Sequence, residues 1–521
     1  MGAPGPGGGA RVGEDGVSGS GGAPGAPGGR GAADGWETVI GVEVHVQLRT
    51  ATKMFCGCPA AYGAPPNTHV CPVCLGLPGA LPVPNRRAVE LAVRAALVLG
   101  CEVAERSEFT RKNYFYPDLP KGYQITQFEH PLARRGEVAV RGDGEVRRVR
   151  IRRLHVEEDA GKSLHDRFPG RTAVDLNRAG VPLIEIVTEP DLRSPSEARA
   201  YLSRLKQLLE HFAAVSDCNM EEGSLRVDAN LSVRPARSDT LHTKTEVKNL
   251  NSFSNVEKAL AFERDRQVAL REEGREVVHE TRTFDAASGR TRAMRGKEEA
   301  FDYRYFPEPD LPLLELEPGT VERIDRGLPE LPFEAEERLR DAFGLSLYDA
   351  GLLAATPRRL AFFEEVAGEG DAELAKQAAN LVMGPVAEAL NRSDAAVAED
   401  ELLPATDLRR VVELRLDGTL TSNAADELIE RLLEDGGGDV DALVDELGLA
   451  RISDEGRLAS WVEEALAGHP DEAARLRAGE EKLLGFFMGA VMRRAGGAAD
   501  PGRTRELLRE RLGSDAGDGA G

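Results

Sequence analysis

The sequence of 521 residues lacks the features of membrane, secreted and disulfide-bonded proteins. It has no apolar run of 18 residues, which excludes a membrane helix, and its first 35 residues are rich in glycine without the apolar segment of a signal peptide. Only six cysteines are present, and a chain of this length predicts two to four domains whose cores need no disulfides. We therefore expect a cytoplasmic protein that does not associate with a membrane.

Positive charge is also scarce. The formal net charge is −22, which argues against indiscriminate binding to nucleic acid, so any contact with RNA must be confined to local patches. The chain has 11 lysines against 55 arginines, and nine of those lysines fall between Lys53 and Lys297. A lysine ammonium is a compact charge suited to a phosphate or a developing oxyanion, which makes Lys112 and Lys248 the first candidates for catalysis.

Several catalytic motifs are missing. Ala160-Gly161-Lys162-Ser163 resembles part of a P-loop, but Val156 stands where that motif requires its first glycine. The sequence has no dinucleotide-binding fingerprint, no HExxH helix, no GxSxG elbow and no plausible Cys/His nucleophile pair. These absences remove the common hydrolases and dehydrogenases and leave metal-assisted polar chemistry.

Three apolar segments carry acids or a histidine that would need partners if buried. The run 181–187 is apolar except for Glu185 and predicts a strand buried on both faces. In 154–159, strand alternation places Glu158 with the aliphatic residues and turns His155, Glu157 and Asp159 the other way. In 42–48, alternation groups His45 with Glu43 and Gln47.

These segments suggest one charged cleft. We expect His45, Glu158 and Glu185 to hold a hard divalent cation that keeps open water positions, with Mg²⁺ favoured by the oxygen ligands and Mn²⁺ admitted by the imidazole. The alternative is three amphipathic strands whose polar faces are simply solvated.

A separate cysteine cluster predicts a structural zinc knuckle. The spacing of Cys56, Cys58, Cys71 and Cys74 is that of four thiolates around tetrahedral Zn²⁺, with glycine and proline turns beside them. The alternative is a set of four reduced core thiols. The remaining cysteines, Cys101 and Cys218, are expected to be buried apolar residues.

The order of elements predicts an α+β domain followed by helical domains. Short alternating strands and helices mix up to about residue 317, and helical patterns then continue to the end. The expected divisions are a disordered tail 1–35, a catalytic domain 36–325 with the zinc knuckle, a helical domain 326–405, a C-terminal helical domain 406–515 and a disordered end 516–521.

Seven long motifs, in order, resemble the B subunit of the aspartyl/glutamyl-tRNA(Asn/Gln) amidotransferase. The similarity covers essentially Trp36 to Leu512. The motifs lie at Trp36–Leu48, Arg111–Pro117, Leu154–Ser163, Val174–Glu185, Met220–Arg234, Lys248–Phe253 and Asp302–Pro312.

The resemblance implies a fold and an activity. The fold is a cradle domain similar to glutamine synthetase, mainly an antiparallel sheet with helices, followed by an all-α helical domain and a small all-α tail that binds tRNA. The activity is transfer of the γ-phosphate of ATP to the side-chain carboxylate of mischarged Glu-tRNA(Gln) or Asp-tRNA(Asn), after which ammonia displaces phosphate to give the amide.

The resemblance also implies roles for particular residues. Magnesium ligands carry over to His45, Glu158 and Glu185, and the catalytic lysine to Lys112. Other members of the expected site are Tyr114 and Tyr116 beside the lysine, Glu43 as an outer partner of the metal, and Glu246, Lys248 and Asn249 on the ATP or ammonia side.

The family's implied partners follow from what this chain lacks. It has no Gly/Ser-rich amidase segment with catalytic Ser and Lys, so ammonia is expected from an amidase A subunit, held with this chain by a small C subunit in a heterotrimer. Two other functions stay open from the sequence: a carboxylate–amine ligase that acts on small molecules without tRNA, and a non-catalytic zinc-ribbon scaffold that binds RNA.

Overall fold

A computed structural model describes residues 35–142, 145–294, 303–392, 398–451 and 454–513. Apart from Gly35, the two ends expected to be disordered lie outside the described residues. The strands are β1 Trp36–Gln47, β2 Glu102–Val103, β3 Arg106–Ser107, β4 Thr110–Asn113, β5 Tyr123–Thr126, β6 Ala133–Gly142, β7 Glu145–Glu158, β8 Lys162–Phe168, β9 Arg171–Asp175, β10 Pro182–Thr188, β11 Leu225–Pro235, β12 Thr245–Lys248, β13 Thr281–Asp285, β14 Arg290–Ala293, β15 Phe306–Pro307 and β16 Leu314–Glu315.

The helices are α1 Arg86–Val98, α2 Pro195–Gln207, α3 Phe253–Glu272, α4 Thr320–Asp325, α5 Pro332–Phe343, α6 Leu347–Leu353, α7 Pro357–Ala367, α8 Ala372–Leu381, α9 Ala387–Arg392, α10 Glu399–Leu402, α11 Ala405–Leu416, α12 Ser422–Asp435, α13 Val440–Leu447, α14 Glu455–Gly468, α15 Pro470–Arg477, α16 Lys482–Arg494 and α17 Pro501–Gly513. Wide π-helical turns at Leu208–Phe212 and Val382–Val386 continue α2 and α8.

A nine-stranded sheet in the order β14-β13-β12-β11-β1-β10-β7-β6-β2 forms the centre of the first domain. Neighbouring strands are antiparallel except for β12 and β13. All seven residues of β10 are buried, which confirms the prediction of a strand covered on both faces. Burying such a strand forces its one carboxylate, Glu185, to find partners within the protein.

Helices α1, α2 and α3 cover one face of this sheet. The aliphatic residues of β1, β7, β10 and β11 pack against them in one core, and the polar residues of the same strands point to the opposite face because side chains alternate along a strand. The side chains of Asn85, Ser194 and Ser252 cap the N-termini of α1, α2 and α3. The helix side is therefore structural, and the polar face is left for chemistry.

A small sheet of β15, β4 and β5 lies against the end of β7. Three hydrogen bonds join β5 to the end of β7: from Gln124 Nε2 to the Glu158 carbonyl oxygen at 2.7 Å, from the Ile125 amide to Glu158 Oε1 at 3.1 Å and from Thr126 Oγ1 to Glu157 Oε2 at 3.0 Å. Since β4 contains Lys112, these bonds position the candidate lysine relative to the main sheet.

The C-terminal half is helical, as predicted, with two further cores. One core runs from Ala335 to Leu449 and the other from Leu458 to Leu508. Residues 406–449 are the first 44 residues of the expected C-terminal domain. They belong to the core that begins at Ala335, because α11 packs on α7 and α8. Gly384 and Pro385 lie in the π-helical turn that joins α8 to α9.

The helices offer no candidate for crossing a bilayer. Within the described residues, none is both long and apolar enough to span a membrane.

Gly136 in β6 tests the packing of this sheet. A Cβ atom at Gly136 would lie 2.5 Å from the Leu99 carbonyl oxygen and collide with the Cys101 thiol. We expect Gly136→Ala to lower the free energy of unfolding by about 2 kcal/mol, as overpacking does, in urea denaturation. Gly41→Ala in β1 is the control, because its Cβ meets nothing closer than 3.6 Å; equal stability of the two variants would contradict this packing.

Candidate active site

The centre of the polar face brings together His45, Glu157 and Glu185. In the antiparallel register, His45 lies opposite Glu185 and Glu185 lies opposite His155, so all three share one face, and Glu157 follows two residues after His155. His45 Nε2 lies 3.5 Å from Glu185 Oε2 and 3.7 Å from Glu157 Oε1. One ligand atom from each of His45, Glu157 and Glu185 lies within 4.8 Å of the others, which suits a single cation.

The histidines and glutamates of this cluster shift one another's pKa values. Burial would raise the pKa of Glu185, but the charges and hydrogen bonds of His155 and His45 hold it well below its usual value. Burial would equally lower the pKa of His155, yet Glu185 and Glu157 raise it to about 9. Two buried carboxylates thus attract positive charge to one point, and the second ring nitrogen of His155, Nδ1, is buried without a hydrogen-bond partner among the described residues. Oxygen and imidazole donors of this kind fit a divalent cation.

The expected third ligand, Glu158, is not part of this cluster. Its side chain lies on the opposite face, as its alternation with Val156 requires, where it pairs with Lys121 and accepts a hydrogen bond from the Ile125 amide at 3.1 Å. The grouping of Glu158 with His45 and Glu185 was therefore wrong. Glu157 lies there instead, because it shares the face of the sheet that carries His45, whereas Glu158 shares the face that carries the aliphatic residues.

Lys112 faces the acidic cluster from the small sheet. Its ammonium lies 4.8 Å from the ring centre of Tyr303 and 5.9 Å from that of Tyr114. Burial would lower the pKa of Lys112, but the charges of Glu157 and Glu185 outweigh it and raise the pKa, so the side chain stays protonated. The ammonium of Lys112 thus faces the carboxylates of Glu157 and Glu185.

Aromatic rings surround this lysine. Tyr303 packs edge-on against Tyr114 and Tyr305, and Tyr305 stacks on Phe128 with 4.2 Å between ring centres. The Tyr114 hydroxyl donates to Gln124 Oε1 at 3.3 Å, and burial raises its pKa, so it remains a neutral phenol. The segment 303–305 was not singled out as part of the site from its sequence, although its motif was part of the resemblance.

Tyr116 lies further out. Its ring centre is 6.3 Å from that of Tyr114 and its side chain is exposed, in contrast to the half-buried Tyr114. It therefore borders the aromatic group and does not line its interior.

The polar face continues across β11 and β12. Arg226, Asp228, Asn230, Ser232 and Arg234 share this face, since they alternate along β11. The amide of Asn230 donates to Glu43 Oε1 at 2.9 Å. Glu43 thus belongs to the same face as His45, one alternation step away.

Of the three residues expected on the ATP or ammonia side, two lie on this face. The ammonium of Lys248 bridges Asp228 Oδ2 at 2.8 Å and Glu246 Oε1 at 3.0 Å. Asn249 does not join them, because it adopts a left-handed conformation (φ 64°) and its amide donates to the Phe284 carbonyl oxygen. Its role is to fix the end of β12.

Asp159 anchors the far end of the face and was missed as a site residue. Its Oδ2 accepts from Arg226 at 2.8 Å and from Gln47 at 2.9 Å, while Arg178 lies 3.6 Å away. Burial would raise its pKa, but the charges of Arg226 and Arg178 keep the pKa below its usual value. The alternation of 154–159 contained the signal, since it groups Asp159 with Glu157.

The four cysteines of the predicted knuckle lie together. Their sulfur atoms are within 4.8 Å of one another, and Cys71 Sγ and Cys74 Sγ are 3.9 Å apart. A hydrogen bond with the Cys56 thiol is the main cause that lowers the pKa of Cys74 to about 4. The positive charge of the buried Lys53 ammonium, 3.7 Å from Cys74 Sγ, lowers it further. Cys101 and Cys218 are buried elsewhere, as expected.

The knuckle supports the wall behind Glu158. Gly180 (φ 88°) packs between Cys74 and the Glu158 carboxylate, where a Cβ would lie 3.5 Å from Cys74 Cβ and 3.8 Å from Glu158 Oε2. A cysteine cluster thus sits directly behind the strand end that bears Glu157.

Comparison with known proteins gives long matches. The family of the GatB/GatE catalytic domain matches residues 38–322, and a second family, described as the GatB domain, matches residues 361–512. The chain is similar to the B subunit of aspartyl/glutamyl-tRNA(Asn/Gln) amidotransferase from Halorhodospira halophila, 49% identical over 478 residues that cover 92% of this chain and 99% of the relative. The protein of that name from Anaeromyxobacter sp. (strain K) is 50% identical over 483 residues, again 92% and 99%.

The buried pair of Lys121 and Glu158 gives a test of this arrangement. Lys121→Met leaves a buried carboxylate without its cation, so we expect a loss of about 3 kcal/mol in the free energy of unfolding. The double variant Lys121→Met/Glu158→Gln removes the charge and should recover most of that loss in urea denaturation. An unchanged free energy of unfolding in Lys121→Met would contradict the pairing of Lys121 with Glu158.

Proposed function

The chain belongs to the GatB/GatE family, and we propose that it is the subunit of a tRNA-dependent amidotransferase that activates a carboxylate with ATP and converts it to an amide. Its substrates would be Glu-tRNA(Gln) or Asp-tRNA(Asn), and its products Gln-tRNA(Gln) or Asn-tRNA(Asn). The matches over both domains support this proposal, as does the length of the shared sequence. The nine-stranded, mostly antiparallel sheet with one polar face supports the glutamine-synthetase-like cradle that the family implies.

One observation carries the proposal: two acids and an imidazole lie close enough together to hold one cation, and they face the ammonium of Lys112. We propose that His45, Glu157 and Glu185 hold Mg²⁺, with Mn²⁺ as a competent substitute, and that His155 orients both carboxylates through contacts of 3.1 and 3.5 Å. When bound, the ion neutralises phosphate charge and orients the γ-phosphoryl group for transfer.

Lys112 supplies the second positive charge. A carboxylate is a poor acyl donor, so its oxygen first attacks the γ-phosphorus of ATP, ADP leaves and an acyl phosphate forms. The ammonium of Lys112 stabilises negative charge on the transferring group, and the surrounding tyrosine rings exclude water from it. Ammonia then attacks the acyl carbon, phosphate leaves with the bonding electrons, and the excess proton passes to solvent.

Ammonia and tRNA require further parts. We propose that an amidase A subunit releases ammonia from glutamine, that a small C subunit joins the two in a heterotrimer, and that the complex works in the cytosol, where charged tRNA is made. The tail domain is the proposed contact with tRNA: Arg493, Arg505 and Arg509 are exposed on α16 and α17, whereas Arg503 and Arg511 form ion pairs with Glu455 and Glu463.

We also propose that Cys56, Cys58, Cys71 and Cys74 bind one structural Zn²⁺. A tetrahedral zinc with four thiolates places its sulfur atoms about 3.8 Å apart, close to the 3.9 Å between Cys71 and Cys74. All four positions would be taken by protein, so this ion supports the fold behind Glu158 and takes no part in the reaction.

The function is tested by release of inorganic phosphate in the assembled enzyme, supplied with ATP, ammonia and Glu-tRNA(Gln). We expect release to depend on the charged tRNA and to fall at least about a hundredfold in Lys112→Met, because the transferring phosphoryl loses a fixed cation. Glu157→Gln should fall similarly and bind Mn²⁺ more weakly. Lys258→Met, on the exposed surface of α3, is the matched control and should be unaffected.

Two results would contradict the proposal. Phosphate release that is independent of charged tRNA would point to a ligase for small molecules. Binding of tRNA without any phosphate release would point to a non-catalytic scaffold.

Zinc is tested by metal analysis of the purified chain. We expect about one equivalent of zinc in the wild type, and loss of the ion with a lower melting temperature in Cys71→Ser. Cys218→Ala, outside the knuckle, should keep its zinc. Wild-type protein that contains no zinc after purification with added zinc would refute the assignment.

A further inference from the structure

Arg226 lies directly beside the candidate cation site. In the register of β1 with β11 it is the residue opposite His45, and His45 in turn lies opposite Glu185 on the next strand. Neighbouring strands are about 5 Å apart, so Arg226, His45 and Glu185 form one row across the polar face. Burial would lower the pKa of Arg226, but Asp159, Glu157 and a third acid raise it, so the guanidinium stays charged next to the acids.

Only part of the Arg226 guanidinium is used by the protein. Its Nη2 donates to Asp159 Oδ2 at 2.8 Å, which is its one hydrogen bond among the described residues. Its Nε is buried and has no partner in the described part of the chain, while 37% of the side chain is exposed. A guanidinium carries five N–H donors, and unpaired donors cost free energy. Asp159 thus holds Arg226 in place and leaves donors for a ligand.

The other cations near this row are already engaged. The ammonium of Lys248 is held between two carboxylates, at 2.8 and 3.0 Å. The guanidinium of Arg178 donates to two backbone carbonyl oxygens, at 3.0 and 2.6 Å. Lys112 faces the acids from the small sheet and has its place in the proposed phosphoryl transfer. Among the described residues of this face, Arg226 is therefore the cation beside the cation site that keeps spare donors.

The proposed reaction needs a cation at this position. It brings the carboxylate of an aminoacyl group into a cleft whose walls carry Glu157, Glu185 and Asp159, and like charges at such distances repel. The attacking oxygen must also come within about 3.5 Å of the γ-phosphorus. Arg226 is one strand away from His45, so a carboxylate held by its guanidinium would lie next to a phosphoryl group at the cation site. A planar guanidinium matches the geometry of a carboxylate.

We propose that Arg226 binds the side-chain carboxylate of the glutamyl or aspartyl group, and that Asp159 is the positioning residue that holds the guanidinium. The inference deepens the proposed function and rests on it, because that function supplies the carboxylate. Arg226 then also distinguishes the substrate from the product. An amide is neutral and has one oxygen in place of two, so it accepts weaker hydrogen bonds from the guanidinium.

Four variants separate this role from a structural one. Arg226→Ala removes the guanidinium, and Arg226→Lys keeps the charge without the planar set of donors. Asp159→Asn keeps the shape of the side chain but removes the charge that holds Arg226. Arg150→Ala is the matched control: Arg150 also pairs with one aspartate, Asp191, but it is exposed and lies seven residues before Glu157 on β7, about 20 Å away.

Two measurements on the assembled enzyme test the proposal. The first is binding of Glu-tRNA(Gln) and of Gln-tRNA(Gln) in the absence of ATP, and the second is kcat/KM for Glu-tRNA(Gln) together with the KM for ATP. We expect the wild type to bind the glutamyl form more tightly and Arg226→Ala to lose this preference. Its kcat/KM should fall about a hundredfold, because the attacking oxygen is misplaced, while the KM for ATP changes little.

The other variants should follow in order. Arg226→Lys should keep part of the preference, Asp159→Asn should weaken it, and Arg150→Ala should leave it unchanged. Guanidinium chloride, added far below denaturing concentrations, should restore part of the activity of Arg226→Ala and none of that of Lys112→Met.

The inference is overturned if Arg226→Ala, shown to be folded by its melting temperature, keeps both the preference and the kcat/KM of the wild type. It is also overturned if the affinities for both charged tRNAs and the KM for ATP worsen together and guanidinium restores nothing, as a structural role requires. If Arg226→Ala does not fold, Arg226→Lys and Asp159→Asn decide by the same preference.

Failure of the proposed function is seen separately, as absence of tRNA-dependent phosphate release in the wild type. Binding without ATP still tests Arg226 in that case. Equal affinity of the wild type for the glutamyl and glutaminyl forms of the tRNA would overturn the inference.

Discussion

The antiparallel register of β7, β10 and β1 is the constraint on which the site depends. It sets His155, Glu185 and His45 side by side on one face, and Glu157 two residues beyond. A slip of one residue in any of these strands would turn that strand's charged side chains into the aliphatic core. Burial of β10 on both faces strengthens the constraint. A buried carboxylate such as Glu185 costs free energy unless it is paired, and this register supplies His45 and His155 as its partners.

Successive acids on β7 serve opposite sides of the sheet. Glu157 faces the candidate cation site, and Glu158 faces Lys121 and the amide of Ile125. Because β5 pairs with β4, the contacts of Glu158 also fix the strand that bears Lys112. The cysteine cluster packs behind this point through Gly180. The position of Lys112 relative to the acids thus depends on the contacts of Glu158 and on the packing behind them.

The helical half is joined to the catalytic half by a small set of polar contacts. Buried Glu336 of α5 accepts from Arg204 at 2.6 Å and from Arg141 at 3.4 Å, and the Gln207 amide donates to the Ala355 carbonyl oxygen at 2.9 Å. These contacts lie on the helix side of the sheet, away from the acids. The contacts that hold the first helical domain therefore do not involve the polar face.

The sequence by itself determined the elements and most of the chemistry. Alternation grouped His45 with Glu43, and cysteine spacing grouped Cys56, Cys58, Cys71 and Cys74, because these patterns are local. What it could not determine was which face of one strand meets which face of the next. Burial of Glu158 among aliphatic residues suggested a metal ligand, yet only the register of β7 against β10 showed that Glu157 lies with His45. Other contacts also join residues that are distant in sequence. They are the pairing of Asp159 with Arg226, the approach of Tyr303 to Lys112, and the packing of 406–449 into the core that begins at Ala335. Only the folded chain decides such contacts, since strand register and helix packing are set by the whole core.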